Sequence, residues 1–84
     1  MQVKMKMKYV MNENDTFVLI PIFMPHTTLG FQVISAGFVN FDTYEDDCKN
    51  LCLRALCYGE STGLGVESRE EDSSIITKGL QFNL

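Results

Sequence analysis

The sequence is short of several things at once. It has no tryptophan, one histidine and two prolines, and only seven lysines and arginines against eleven acids, for a formal net charge of −4. Without tryptophan the core must come from Val, Ile, Leu, Phe and Met. Apart from Lys4, Lys6 and Lys8 the positive charges are scattered. Nucleic-acid binding ordinarily needs a basic face that displaces counterions from phosphates, so no nucleic-acid partner is expected. Long apolar runs are missing too. The longest, Phe17 to Met24, is interrupted by Pro21 and falls far short of a bilayer span, so no membrane partner is expected. Cysteine is sparse and odd in number: Cys48, Cys52 and Cys57. The opening MQVKMKMKYV is basic with no apolar stretch behind it. Neither feature suits a secreted disulfide framework, and the expectation is a reduced, cytoplasmic protein.

What is present is ordinary globular material. At 84 residues the chain is read as one domain, 1–84, with 45% apolar and 21% charged residues, a balance that favours folding over disorder. Gln2, Lys4, Lys6 and Lys8 alternate with Val3, Met5, Met7 and Tyr9, the period of a half-buried strand. Asn12 to Asp15 supplies turn formers, and Thr16 to Phe23 is β-prone, so the two runs read as a hairpin with a four-residue loop. Pro21 cannot donate to a ladder and marks the second strand as an edge, or as bulged. Residues 24–30 form a loop punctuated by Pro25 and Gly30. Phe31 to Phe41 reads as a strand, in which Ala36-Gly37 signals a bulge or the close approach of another element.

Residues 42–57 admit two readings. Tyr44, Cys48, Leu51, Cys52 and Ala55 recur at helical spacing, with Thr43 as cap and Glu45, Asp46 and Asp47 at the positive end. Alternatively Asp42 to Asn50 is a long turn and Leu51 to Gly59 a strand. The strand is preferred, because Phe31–Phe41 needs a partner and a sequence neighbour usually provides it. Near the C-terminus Ser68-Arg69-Glu70-Glu71 spells a capping box, Ser68 paired with Glu71. Acids fill the first turn and Lys78 the last. Ile75, Ile76 and Leu80 give an apolar face, and Gly79 suits a left-handed C-cap. The helix is placed at about 69–79. The fold expected is α+β: a small, mostly antiparallel sheet with that one helix packed on it.

The chemistry-bearing groups are few. Gly59 to Gly63, GESTG, matches G-x-S-x-G. A hydrolase elbow, however, needs a helix directly after the serine and a histidine later in the chain. Here glycines follow, and His26 comes before. Ser61 is therefore read as part of a glycine-rich turn. The cysteines are spaced C-x3-C-x4-C, wider than structural zinc pairs, and a free cysteine is commonly a small core residue. No metal and no cofactor are expected. Gly63-Leu64-Gly65 before a helix resembles an anion-binding turn, but Glu67, Glu70 and Glu71 crowd that helix start. Nothing in the spacing brings His26 and Cys57 together as a thiol–imidazole pair. The aromatic residues are read as core and sheet-face residues.

The segments VISAGFVNFD (33–42), CYGEST (57–62) and VESREEDSSII (66–76) together resemble a group of small uncharacterised proteins carried by phages and prophages. Those have a SAGF-like strand, a CYGxS-like turn and an S-R-x-x-D helix start. The resemblance implies that Met1 to Lys6 is an N-terminal extension, since those proteins open near the equivalent of Met7-Lys8-Tyr9-Val10. It supports the strand at 51–59 and leaves 42–50 as a long acidic hairpin loop. With no catalytic set in view, the expected function is a non-enzymatic protein-interaction module, an inhibitor or adaptor of a host or phage protein. Asp42, Glu45, Asp46 and Asp47 would be its docking surface, steering a basic partner. One alternative is a small-ligand site for a metabolite or nucleotide between helix and sheet, lined by His26, Cys57, Tyr58 and Ser61. Another is a subunit of a larger phage assembly, or a homodimer, formed by edge pairing along the Pro21 strand or the strand at 3–10.

Overall fold

A computed structural model describes residues 4–28 and 32–81. Strands β1 (Lys4–Met11), β2 (Phe17–Ile20), β3 (Ser35–Glu45) and β4 (Leu51–Tyr58) form an antiparallel sheet in the order β2-β1-β3-β4. A two-stranded ribbon, β5 (Glu60–Ser61) and β6 (Val66–Glu67), and helix α1 (Glu70–Gln81) follow. The fold is the α+β arrangement expected.

The Lys/Met alternation of β1 works as the period of two requires. Odd positions (Met7, Tyr9, Met11) join Val39, Phe41, Leu53, Ala55 and Cys57 on one face, and Ile75, Ile76 and Leu80 of α1 pack there. Even positions face the other way. Both main hairpins use the same turn. Asn12 Oδ1 accepts the amides of Asn14 and Thr16, and Asp46 Oδ1 accepts those of Cys48 and Asn50, at 2.9–3.1 Å. In each case the fourth residue, Asp15 or Lys49, takes positive φ (59° and 63°). An Asx side chain bonding its own turn stands in for glycine in closing the ribbon.

Several boundaries differ from those expected. The first loop is five residues, closed by the Asn12–Thr16 backbone bond (3.0 Å). The second strand stops at Ile20, one residue before Pro21, and is the edge that proline implied. The third strand starts at Ser35 rather than at residue 31, which lies outside the described residues along with 29 and 30. It runs on to Glu45, so the helical reading of 44–55 and the long 42–50 loop both give way to a tight turn at 46–50. Asp42, Thr43 and Tyr44 look loop-like, but each has a cross-strand partner in Arg54, Leu53 or Cys52. The β1–β3 register is unbroken through Ala36-Gly37. Gly37 instead serves close approach: a Cβ there would collide with the Tyr58 carbonyl oxygen. Of the supposed extension 1–6, Lys4, Met5 and Lys6 are paired with Asp42, Phe41 and Asn40, while residues 1–3 lie outside the described range. Strand β1 is interior to the sheet, so edge pairing along 3–10 is unavailable wherever β2 covers it, from Lys8 to Met11.

Helix α1 begins one residue later than the capping box implied. Asp72, not Glu71, reaches back, its Oδ2 accepting the Arg69 amide at 3.1 Å. Ser68 hydrogen-bonds the Tyr9 hydroxyl instead (2.9 Å). Gly79 does not end the helix, which continues to Gln81. Its missing side chain makes room for the Phe17 ring, whose carbons would lie 2.8 and 3.0 Å from a Cβ. The helix also caps the β4 edge. Thr77 Oγ1 accepts the Ala55 amide (3.0 Å) and donates to the Ala55 carbonyl (3.3 Å), while Ser73 Oγ accepts the Cys57 amide (2.8 Å). Two hydroxyls one turn apart thus satisfy outward amides that would otherwise be a template for another strand. Among the described residues no helix is long and apolar enough to cross a membrane.

Candidate binding face

The face of the sheet away from α1 is covered at one end only. There Leu64 and Val66, from the β5–β6 ribbon, together with Met24, pack on Val10, Val18, Ile20 and Ala36. The remainder is open, and the strand register fixes its contents row by row. Lys8, Phe38 and Tyr58 form the border row, followed by Lys6, Asn40 and Leu56, then Lys4, Asp42 and Arg54, then Tyr44 and Cys52. Rows on one face recur about every 6.8 Å, twice the residue rise of a strand.

In this patch the cations sit on aromatic rings. The Lys6 ammonium lies 5.2 Å from the Phe38 ring centre and 5.8 Å from that of Tyr58, and those two rings stack at 5.8 Å. The Arg54 guanidinium lies 5.4 Å over Tyr44 and pairs with both Asp42 oxygens at 3.1 and 2.8 Å. That pairing holds the Asp42 carboxyl below its usual pKa, with proximity to Lys4 adding to it. Lys8 is occupied, donating to the Met24 carbonyl (2.8 Å). Leu56 is left 51% exposed in the middle. A groove of about 410 Å³ runs beside it, lined by Lys4, Met5, Lys6, Asn40, Phe41, Asp42 and Leu56. Of the eight residues in the three fully open rows, three are cations (Lys4, Lys6, Arg54) and one is a carboxylate (Asp42). In a chain with eleven acids and seven bases, this inverts the overall balance.

The acidic docking surface does not assemble as expected. Asp42 lies in β3 and is neutralised by Arg54. Asp46 is committed to its own turn, and the amides it accepts from Asn50 and Cys48 hold its carboxyl below the usual range. Asp46 is exposed like Glu45 and Asp47, but only those two acids carry no bond within the turn. The four residues of the small-ligand alternative fall into two pairs, and Cys57 and Tyr58 line a depression of about 520 Å³ with Ser68, Arg69 and Glu70 at the start of α1. His26 and Ser61 do meet, in a depression of about 270 Å³ that Phe38 and Lys8 also line. It opens on the sheet face away from α1, not between helix and sheet. His26 Nε2 lies 2.7 Å from the Gly37 carbonyl, which can only accept, so that nitrogen carries a proton. Ser61 Oγ is 3.4 Å from the Leu64 amide and accepts from it. Both side chains therefore hold backbone in place. Cys57 points to the helix side, where burial pushes its thiol up to about 11. Tyr58, its neighbour along the strand, belongs to the open face. Cys48 and Cys52 are free, and among the described residues no three His, Cys, Asp or Glu side chains are placed to hold a metal ion.

A buried polar cluster escaped sequence reasoning entirely. Asp72 is fully buried. It accepts the Tyr9 hydroxyl at 2.6 Å, the Arg69 amide at 3.1 Å and Arg69 Nε at 3.0 Å, and Arg69 Nε also reaches Ser35 Oγ (3.1 Å). Arg69 Nη2 is 2.8 Å from Asp72 Oδ1, an ion pair in which that N–H is not aimed at the oxygen. Burial alone would raise the Asp72 pKa. The bonds from Tyr9, the Arg69 amide, Ser35 and the Arg69 side chain outweigh it and hold the carboxyl below its usual value. Burial, followed by the bond to Asp72, drives the Tyr9 phenol well above its normal range. The cluster pins the start of α1 to the sheet. No signal joined Tyr9 to Asp72, which lie 63 residues apart.

Fold and site together define a small α+β domain with a helix packed on one sheet face and the other face half-open. Comparison with protein-family models, with curated proteins and with solved structures finds no match.

Proposed function

We propose that this chain is a non-catalytic protein-interaction module, of the inhibitor or adaptor kind, whose working surface is the open half of its sheet. The observation that carries this reading is the cation-rimmed, aromatic and Leu56-centred patch, left uncovered while α1 packs on the opposite face. Exposed aromatic and aliphatic groups beside arginine are the composition of interface centres. The patch supersedes the acidic loop as docking surface, since two of that loop's four acids are already used within the fold.

Photo-cross-linking in the source cell tests the proposal. A photoreactive residue at Leu56 should give a discrete protein adduct, whereas the same residue at the exposed Ser74 on the outer side of α1 should give none. Adducts from Ser74 alone would overturn it. The small-ligand reading keeps two supports, the depression shared by His26 and Ser61 and the one that Cys57 and Tyr58 line beside the start of α1. It predicts a rise in melting temperature with some metabolite or nucleotide, abolished by His26→Ala.

A further inference from the structure

We infer that the open face takes an extended acidic protein segment that places an apolar side chain beside Leu56 between flanking carboxylates. This rests on the reading of that face as the working surface and names its occupant. Three observations select it. The first is charge: Lys4, Lys6 and Arg54 face a single carboxylate, Asp42, which Arg54 already neutralises. The two lysines remain as ammonium groups on the rim of the groove and call for anions. The second is the groove itself, about 410 Å³ with Leu56 in its lining. That is room for a hydrocarbon side chain, which a phosphodiester backbone does not carry. The third is the state of the rings. Phe38 and Tyr58 stack on each other under the Lys6 ammonium, and Tyr44 lies under Arg54. Base stacking needs an open aromatic face, and here each ring already has a cation over it. An acidic peptide needs no ring displaced, since the same ammonium can bond a carboxylate from above while resting on the ring below.

The register supplies the geometry. Along β1, Lys4 and Lys6 point to the same side two residues apart, about 6.8 Å. An extended ligand repeats on one side with the same spacing, so two carboxylates at alternate positions match the two ammonium groups.

The test uses the full chain and four defined probes followed by amide and methyl NMR. The first probe is a short peptide with one leucine flanked on both sides by alternating glutamates and serines. The others are the same peptide with leucine replaced by serine, the same with glutamates replaced by lysines, and a short oligothymidylate. The expected result is that the first peptide alone shifts the signals of Lys4, Lys6 and Leu56, with affinity falling as salt is raised through physiological strength. Lys6→Glu and Leu56→Ser should each weaken it by about tenfold or more, with the rest of the spectrum unchanged to show an intact fold. Tighter binding of the oligothymidylate at the same residues would overturn the inference in favour of a single-stranded nucleic acid. Absence of shifts at Lys4, Lys6 and Leu56, or salt-independent binding, would also overturn it. The two readings fail separately: cross-links from Leu56 with a silent acidic peptide would sink the occupant and leave the face standing.

Discussion

The two faces of the sheet are made by the same strands and the same alternation, yet they solve opposite problems. Facing α1, the rows under the helix are apolar or fully bonded: Tyr9, Met11, Val39, Ala55 and Ile76 are buried, and the one buried carboxylate among the described residues, Asp72, has its partners in place, while Met5 and Leu51 towards the other end of the sheet stay exposed. On the other face the same strands put lysines, an exposed leucine and ring-capped cations. A covered face is where substitution costs stability, because burial and satisfied polar groups are lost together. An open face is where substitution should cost little stability and much binding. The contrast teaches that the sheet's stability and its proposed use are carried by different residues on the two sides of one backbone.

The largest expected blow falls on the helix side. Asp72→Ala removes the partner of the Arg69 guanidinium, of the Arg69 amide and of the Tyr9 hydroxyl at once, and should lower unfolding free energy by about 4 kcal/mol, read from the urea midpoint at unchanged slope. The same group gives a pH signature. Its folded pKa is depressed, so its contribution is fully present above the ordinary carboxylate value of 3.8 and is lost as pH falls through the lower folded value. Asp72→Asn should therefore flatten the acid limb of the stability–pH curve below about pH 4. Ile76→Ala, which empties a fully buried site, should cost about 3 kcal/mol. Gly37→Ala forces a methyl into the Tyr58 carbonyl and should cost about 2 kcal/mol. Thr77→Val strips the partner from the Ala55 amide and should cost about 1 kcal/mol. At the bottom of the series, Leu56→Ser on the open face should move the midpoint by less than about 0.5 kcal/mol. An open-face substitution that rivals Ile76→Ala would erase the contrast.

Sequence patterns reached the helix side better than the open one. The period-two β1, the edge announced by Pro21, and the apolar stripe Ile75, Ile76 and Leu80 are local signals, and each corresponds to an element. Helix ends were less legible. Gly79 reads as a terminator because glycine commonly ends helices, but here its bare Cα serves the Phe17 ring, a contact 62 positions away in the chain. Asp42 to Tyr44 read as loop because they are polar, and they are strand because β4 pairs them. The open face was invisible for the same reason. Lys4 and Lys6 show alternation in the sequence, but only the β1–β3–β4 register sets them in rows with Arg54 and Leu56. A basic patch was therefore present in a chain whose composition argued against one. The Asp72 cluster likewise depends on Tyr9 and Ser35, which no local window contains.

One measurement bears most directly on the division of labour between the faces. The double variant Lys6→Glu with Leu56→Ser would be carried through urea unfolding and through photo-cross-linking from Tyr58 on the same face. The account predicts an unfolding free energy within about 0.5 kcal/mol of the parent together with loss of the protein adduct. A retained adduct, or an unfolding midpoint that collapses along with it, would contradict the claim that this face is kept for a partner.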